Sequence, residues 1–160
     1  MSLIVSDTTP ISCLLRIGRT DLLATLFPDM RIPTEVAAEL DQGAAVLGDW
    51  RSMISHARIE IVQPTPLLRL LKEEVDAGEA AALALGVSLH ADLVLIDEMR
   101  GRVIARRLGL PVAGTLGVVV RAKRGGMIPA ARPIIDQVRT LGGLWVTDEL
   151  VAQVLTGLGE

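Results

Sequence analysis

The sequence predicts an α/β domain, with helices on both faces of a central parallel sheet of about five strands. Three observations carry that expectation. Short apolar runs at 3–5, 30–32, 58–62, 92–96 and 111–113 alternate with stretches of helical spacing, as in βαβ units. One run, Leu93-Val94-Leu95-Ile96, is apolar without alternation, the mark of a strand buried on both faces. The length of 160 residues suits one domain that buries its core without disulfide staples.

Taken in order, Leu3-Ile4-Val5 is a strand that ends at Ser6-Asp7. Thr9 is expected to cap the next helix, with Pro10 at its first position and Ile11, Leu14 and Leu15 at helical spacing. A further helical stretch over 21–27 closes at Pro28, and a weak strand follows at 30–32. Pro33-Thr34 starts a helix with Val36, Ala37 and Leu40 on one side, ending near Gly43. Residues 44–55 read as helical, whereas 58–62 alternate and favour a strand. The Pro64-Thr65-Pro66 turn leads into a helix to about Val75. Glu79-Ala80-Ala81-Ala82-Leu83-Ala84-Leu85 forms the next helix, expected to end at Gly86. Asp97 stops the buried strand, and a basic helix with Arg100, Arg102, Arg106 and Arg107 runs to Gly109. Pro111-Val112-Ala113 is the last strand, after which Thr115 is expected to cap a helix toward Arg121. Helices over 134–141 and 148–155 finish the chain, beyond a Gly125-Gly126 turn where compactness is expected to break.

Composition narrows the function. Half the residues are apolar and 22% are charged, which excludes a disordered tail. The single cysteine, Cys13, excludes a thiolate zinc site, and two histidines, His56 and His90, make a histidine-based metal centre a poor fit. A net charge of −3 excludes a bulk polycation. The longest uncharged apolar run, 108–120, is broken by Gly109, Pro111, Gly114 and Gly117, so no membrane span is expected. The N-terminus lacks the basic start of a signal peptide, and a cytoplasmic location is expected. Aromatic residues are only Phe27, Trp50 and Trp145, so base stacking is expected to be minor and both tryptophans read as core.

The acids carry the chemistry. In open parallel sheets, ligands bind beyond the carboxyl ends of the strands. Asp7 follows one strand and Asp97 another, so both emerge at that edge, while Asp92 and His90 fall at the opposite one. Glu79 lies in the first turn of its helix, and Glu39 sits on a helix that follows a strand and can face the same crevice. Singly, such acids cap helices or are merely solvated. Together and dry, they would repel one another and hold on to protons. A hard divalent cation, Mg²⁺ or Mn²⁺, resolves the conflict without any histidine. Such a site activates water and stabilises an in-line phosphoryl displacement, which is nuclease or phosphatase chemistry. No Gly-x-Ser-x-Gly elbow, phosphate-binding P-loop or dinucleotide glycine motif competes. A receiver-type phosphoacceptor at Asp97 would need a lysine after the last strand, where Thr115-Leu116-Gly117 stands.

Four segments resemble, in order, the motifs of PIN-domain nucleases. They are Ile4-Val5-Ser6-Asp7-Thr8-Thr9-Pro10, Ile32-Pro33-Thr34-Glu35-Val36-Ala37-Ala38-Glu39-Leu40, Gly78-Glu79-Ala80-Ala81-Ala82-Leu83 and Leu95-Ile96-Asp97-Glu98. The nearest likeness is to a branch marked by Asp97…Gly101-Arg102 and Gly114-Thr115-Leu116-Gly117. The resemblance implies a three-layer α/β/α sandwich and a Mg²⁺- or Mn²⁺-dependent ribonuclease. It implies Asp7, Glu39, Glu79 and Asp97 as catalytic metal ligands, with Thr8, Thr9 and Glu98 supporting them. Residues 1–127 would form the nuclease core and 128–160 a helical extension of the same domain. Such domains are commonly VapC-type toxins, homodimeric and restrained by an antitoxin protein. This chain departs from the pattern in having Glu79 where Asp is commoner, and Leu95 two residues before the fourth acid.

Arg102, Arg106 and Arg107 are candidates for holding RNA phosphates, and Arg121, Lys123 and Arg124 form a second basic cluster. The competing expectation is a catalytically weak or inactive relative that acts as a binding or assembly module.

Overall fold

In the computed structural model, which describes residues 1–160, the five apolar runs become β1 (Leu3–Ser6), β2 (Asp29–Pro33), β3 (Arg58–Glu60), β4 (Leu93–Leu95) and β5 (Val112–Ala113). Helices α1 (Thr8–Arg16) and α2 (Thr20–Leu26) follow β1. Helices α3 (Thr34–Gln42), α4 (Ala44–Leu47) and α5 (Trp50–Met53) follow β2, and α6 (Pro66–Glu74) and α7 (Ala77–Ser88) follow β3. Beyond β4 lies α8 (Met99–Arg107), and beyond β5 lie α9 (Thr115–Arg124), α10 (Arg132–Thr140) and α11 (Asp148–Gly157).

Every strand pairing is parallel, in the order β3-β2-β1-β4-β5. Ile4 of β1 stands between Met30 of β2 and Leu93 of β4. From β1 the chain builds one side of the sheet, then crosses to build the other, so the strand order reverses between β1 and β4. Parallel sheets open a crevice at the carboxyl ends of such a pair. Asp7 and Asp97 follow these two strands.

Side-chain alternation along the strands feeds two cores. Ile4, Leu93 and Leu95 enter the larger one, with residues of α1, α3, α9, α10 and α11. Val5, Val94 and Ile96 enter the other, with residues of α6, α7 and α8. A sheet apolar on both faces needs a helical layer on each, and the result is a three-layer α/β/α sandwich. Residues 128–160 feed the larger core through Ile134, Ile135 and Val138 of α10 and Val151 and Leu155 of α11.

Several local readings change. Helix α1 begins at Thr8 with Asp7 at its cap position, not Thr9, and Pro10 lies within the first turn, where a missing N–H breaks no helical bond. Residues 44–55 are two single-turn helices, because Gly48 at φ 72° ends α4. Helix α7 passes through Gly86 to Ser88; a Cβ at Gly86 would lie 2.9 Å from Val94 Cγ2, so glycine serves close packing there. Gly114, not Thr115, caps α9. Trp50 is core as expected, its Nε1 donating to Asp41 Oδ1 at 3.0 Å, but Trp145 is 84% exposed. No helix is long and apolar enough to cross a membrane.

Candidate active site

The crevice beyond β1 and β4 is a cleft of about 770 Å³. Asp7, Glu39, Glu79 and Asp97 all line it, together with Thr8, Thr9 and Glu98. Each acid reaches it from a different element. Asp7 is fixed where β1 ends, its backbone N–H donating to the Leu95 carbonyl at 2.9 Å and so tying the β1 and β4 ends together. Glu39 comes from the later turns of α3 and accepts a hydrogen bond from the Thr8 hydroxyl. Glu79 projects from the first turn of α7. Asp97 follows β4 and is held from both sides by Thr115, whose backbone N–H donates to Oδ1 and hydroxyl to Oδ2, each at 2.7 Å.

Three glycines leave room for three of these carboxylates. A Cβ at Gly78 would lie 2.5 Å from Glu39 Oε1, one at Gly101 2.8 Å from Glu79 Oε2, and one at Gly114 2.6 Å from Asp97 Oδ1. Two of the glycines, Gly101 and Gly114, belong to the motif quoted for the branch, and at both a side chain would collide with a carboxylate.

The electrostatics follow from burial. Asp7 is only 5% exposed, and desolvation lifts its carboxyl to about 7. The Thr8 backbone N–H opposes that shift, and the charges of Asp76, Glu39 and Asp97 reinforce it. Glu79 rises to about 8, first from burial and then from the adjacent Asp76 carboxylate. Asp97 is raised by burial too, against its two Thr115 hydrogen bonds and the positive charge of Arg102. Asp7 Oδ1 and Glu79 Oε2 are buried with no hydrogen-bond partner.

A family model described as a PIN domain matches residues 3–160. The chain belongs to the PIN-domain family. No curated protein and no solved structure gives a significant match to it. The match includes α10 and α11 within the PIN domain, and the three-layer fold is the one the resemblance implies.

PIN domains are in general nucleases that use divalent metals, and the donor set of this one suits a hard cation. Four carboxylates share the cleft, and two of them present buried oxygens without partners. As the side chains stand, no three His, Cys, Asp or Glu residues are grouped as a ready cation cage. The match is therefore one of donor chemistry and unmet hydrogen-bonding capacity.

The basic candidates separate. Arg102 lines the acid cleft, and its buried Nε has no partner. Arg106 is exposed on α8, while Arg107 lies in a different surface hollow beside Met99 and Val103. Two residues that line the cleft, Asp76 and Trp145, and one buried behind it, Thr115, have roles the sequence does not announce. Asp76 caps α7 by accepting from the Glu79 N–H at 2.8 Å, and a cap three residues before a glutamate is a readable signature. Thr115 has the sequence position of a cap and instead orients Asp97. Trp145 lines the cleft from the segment between α10 and α11, and nothing in its local sequence distinguishes it from a core tryptophan.

Proposed function

We propose that this PIN domain is a Mg²⁺- or Mn²⁺-dependent endoribonuclease that acts as the toxin of a toxin–antitoxin pair in the cytoplasm. The observation that carries the nuclease reading is the convergence of Asp7, Glu39, Glu79 and Asp97 on one cleft at the strand-order reversal, with two buried oxygens unpartnered. The toxin role, the homodimer and the antitoxin partner rest on the family resemblance of the four motifs.

Asp7, Glu39, Glu79 and Asp97 would hold the cation. A bound divalent ion would supply Lewis-acid polarisation of the phosphate and a lowered pKa for water. The protein's own part is positioning. Thr115 fixes the plane of the Asp97 carboxylate, and Thr8 fixes one oxygen of Glu39. The close seats at Gly78, Gly101 and Gly114 limit where the carboxylates can swing. Arg102, beside Asp97, would hold a non-bridging phosphate oxygen and offset charge as the bond breaks. No side chain has to act as a nucleophile.

The test is Asp7→Asn. RNA cleavage by purified protein with Mg²⁺ or Mn²⁺ is expected to fall at least about a hundredfold, because a direct ligand is lost. In parallel, Mg²⁺ is expected to raise the melting temperature of the wild type by linkage, and not that of Asp7→Asn. Undiminished cleavage by the variant would falsify the assignment.

A second reading, a binding or assembly module without turnover, is favoured by one observation: the acids do not form a ready cation cage. It predicts neither cleavage nor a Mg²⁺-dependent rise in melting temperature.

A further inference from the structure

Next to the acid cleft lies a second hollow of about 500 Å³, within the roughly 300–1,000 Å³ typical of small-ligand sites. Asp97, Arg102, Leu144, Trp145, Val146 and Leu150 line both, so the two adjoin along a shared wall. The second hollow differs in character. Leu116 and Val120 of α9 and Val154 of α11 give it an apolar floor, and Arg121 and Arg124 stand at its edge. Neither arginine forms an ion pair, nor does Arg102. Trp145 is 84% exposed, an unusual state for the largest apolar side chain of a domain whose other tryptophan is 3% exposed.

We propose that this hollow is a subsite for the nucleotide adjoining the scissile bond of single-stranded RNA. Trp145 stacks on its base, and Arg121 and Arg124 hold its phosphate. The inference rests on the nuclease reading for the identity of the acid cleft. Its support is the set of chemistries across two adjoining hollows: carboxylates where a cation and a phosphodiester would meet, Arg102 and the Trp145 indole on the shared wall, and beyond them two guanidiniums free of ion pairs, of which Arg121 donates to the Gly117 carbonyl. A polynucleotide presents the matching series of phosphate, base and phosphate. A protein segment would leave the guanidiniums unanswered unless it were acidic, and a second copy of this acidic chain would present no periodic phosphates to match. Aromatic content is low, but one exposed indole beside the reacting phosphate suffices to seat one base.

The experiment measures binding separately from cutting. A fluorescently labelled short single-stranded RNA is titrated in EDTA at low salt, and anisotropy gives Kd for the wild type, Trp145→Ala, Trp145→Phe and Arg124→Gln. Trp145→Ala is expected to weaken binding about tenfold, the usual loss for a stacked base, with Trp145→Phe restoring most of it. Arg124→Gln is expected to weaken binding and to flatten its salt dependence. Tryptophan emission of the wild type is expected to be quenched on saturation, and that of Trp145→Phe to be unaffected. Equal Kd for wild type and Trp145→Ala overturns the subsite, as does absence of RNA binding by the wild type. Emission that responds to protein concentration and not to RNA also overturns it, and assigns Trp145 to a protein interface. Adding Mg²⁺ or Mn²⁺ separates this proposal from the one beneath it. Wild-type protein that binds RNA through Trp145 as expected but never cuts removes the nuclease reading and leaves the hollow as an RNA-binding site without a scissile bond beside it. Trp145→Ala that cuts with unchanged KM removes the subsite alone.

Discussion

Asp97 owes its orientation to Thr115, a residue with no exposed surface that spends both its backbone N–H and its hydroxyl on one carboxylate. Thr115→Val keeps the shape and removes the hydroxyl donor. A hydrogen bond to a charged group contributes about 1.5–3 kcal/mol, so the variant is expected to lose that much stability above the titration of Asp97. Thr115→Ser is expected to keep most of it, and urea unfolding of the three proteins measures the difference. The lost donor favoured the ionised form, so Thr115→Val also raises the Asp97 pKa further. The rising limb of the cleavage–pH profile is then expected to move to higher pH. Asp7 and Glu79 make a related prediction without metal. Their carboxyls titrate at about 7 and about 8 in the folded chain, against 3.8 and 4.5 as ordinary values. Between those limits the folded state binds more protons than the unfolded one, so stability falls as pH rises. In EDTA, urea midpoints are expected to decline from the ordinary carboxylate range to about pH 8 and then level. Asp7→Asn is expected to make the decline shallower. Proton and cation compete for the same oxygens, so Mg²⁺ is expected to stabilise the wild type more at the alkaline end. Asp7 and Asp97 are legible in the sequence because each follows a strand, whereas Glu39 and Glu79 sit on helices and are picked out by the motifs around them. Asp76 is legible as a cap but not as a wall of the cleft, and Trp145 looks like core.

At the scale of elements, the cleft is set by how closely α7, α8 and the start of α9 approach the carboxylates. Gly101 is the sharpest case. A Cβ there would meet Glu79 Oε2 at 2.8 Å and Ile96 Cγ2 at 2.9 Å, and Ile96 is fully buried. Ile96 is fully buried and has no room to yield, whereas Glu79 can give way into the cleft, so Gly101→Ala is expected to cost about 1–3 kcal/mol by overpacking against Ile96, despite alanine's better helix propensity. It is also expected to push the Glu79 carboxylate from its place, so cleavage should fall more than stability does. A stable variant with wild-type turnover would show that the close approach has no functional weight. Sequence reading found all five strands and the main helices because periodicity and caps are local signals. It misjudged glycine. Gly48 adopts φ 72° and breaks what had read as one helix, whereas Gly86 reads as a terminator and is a packing residue inside α7. One letter serves opposite purposes, and only the neighbour across the interface decides which.

The whole molecule closes around its last fifth, residues 128–160. The Gly125-Gly126 turn is where the sequence leads one to expect compactness to break, with 128–160 a helical extension of the same domain. The packing instead places Ile128, Ile134, Ile135, Val138, Val151 and Leu155 in the same core as Ile4, Ile11 and Leu14. Glu160, at the chain end, accepts hydrogen bonds from the backbone N–H groups of Ala131 and Arg132, which ties α11 back to the start of α10. Between those helices, Leu144, Trp145 and Val146 form a wall of the acid cleft. Removing residues 128–160 therefore exposes one side of the larger core and opens the site in one step. Each large aliphatic side chain contributes about 1.5–3 kcal/mol on full burial, while a whole domain retains only about 5–15 kcal/mol. Loss of six such residues exceeds what the remainder can absorb. A chain ending at Met127 is expected to lack a cooperative unfolding transition and to bind no RNA. Two outcomes separate the roles of the segment. A truncated chain that melts cooperatively makes α10 and α11 dispensable to the core. One that also cleaves RNA makes the Trp145 wall dispensable to the chemistry.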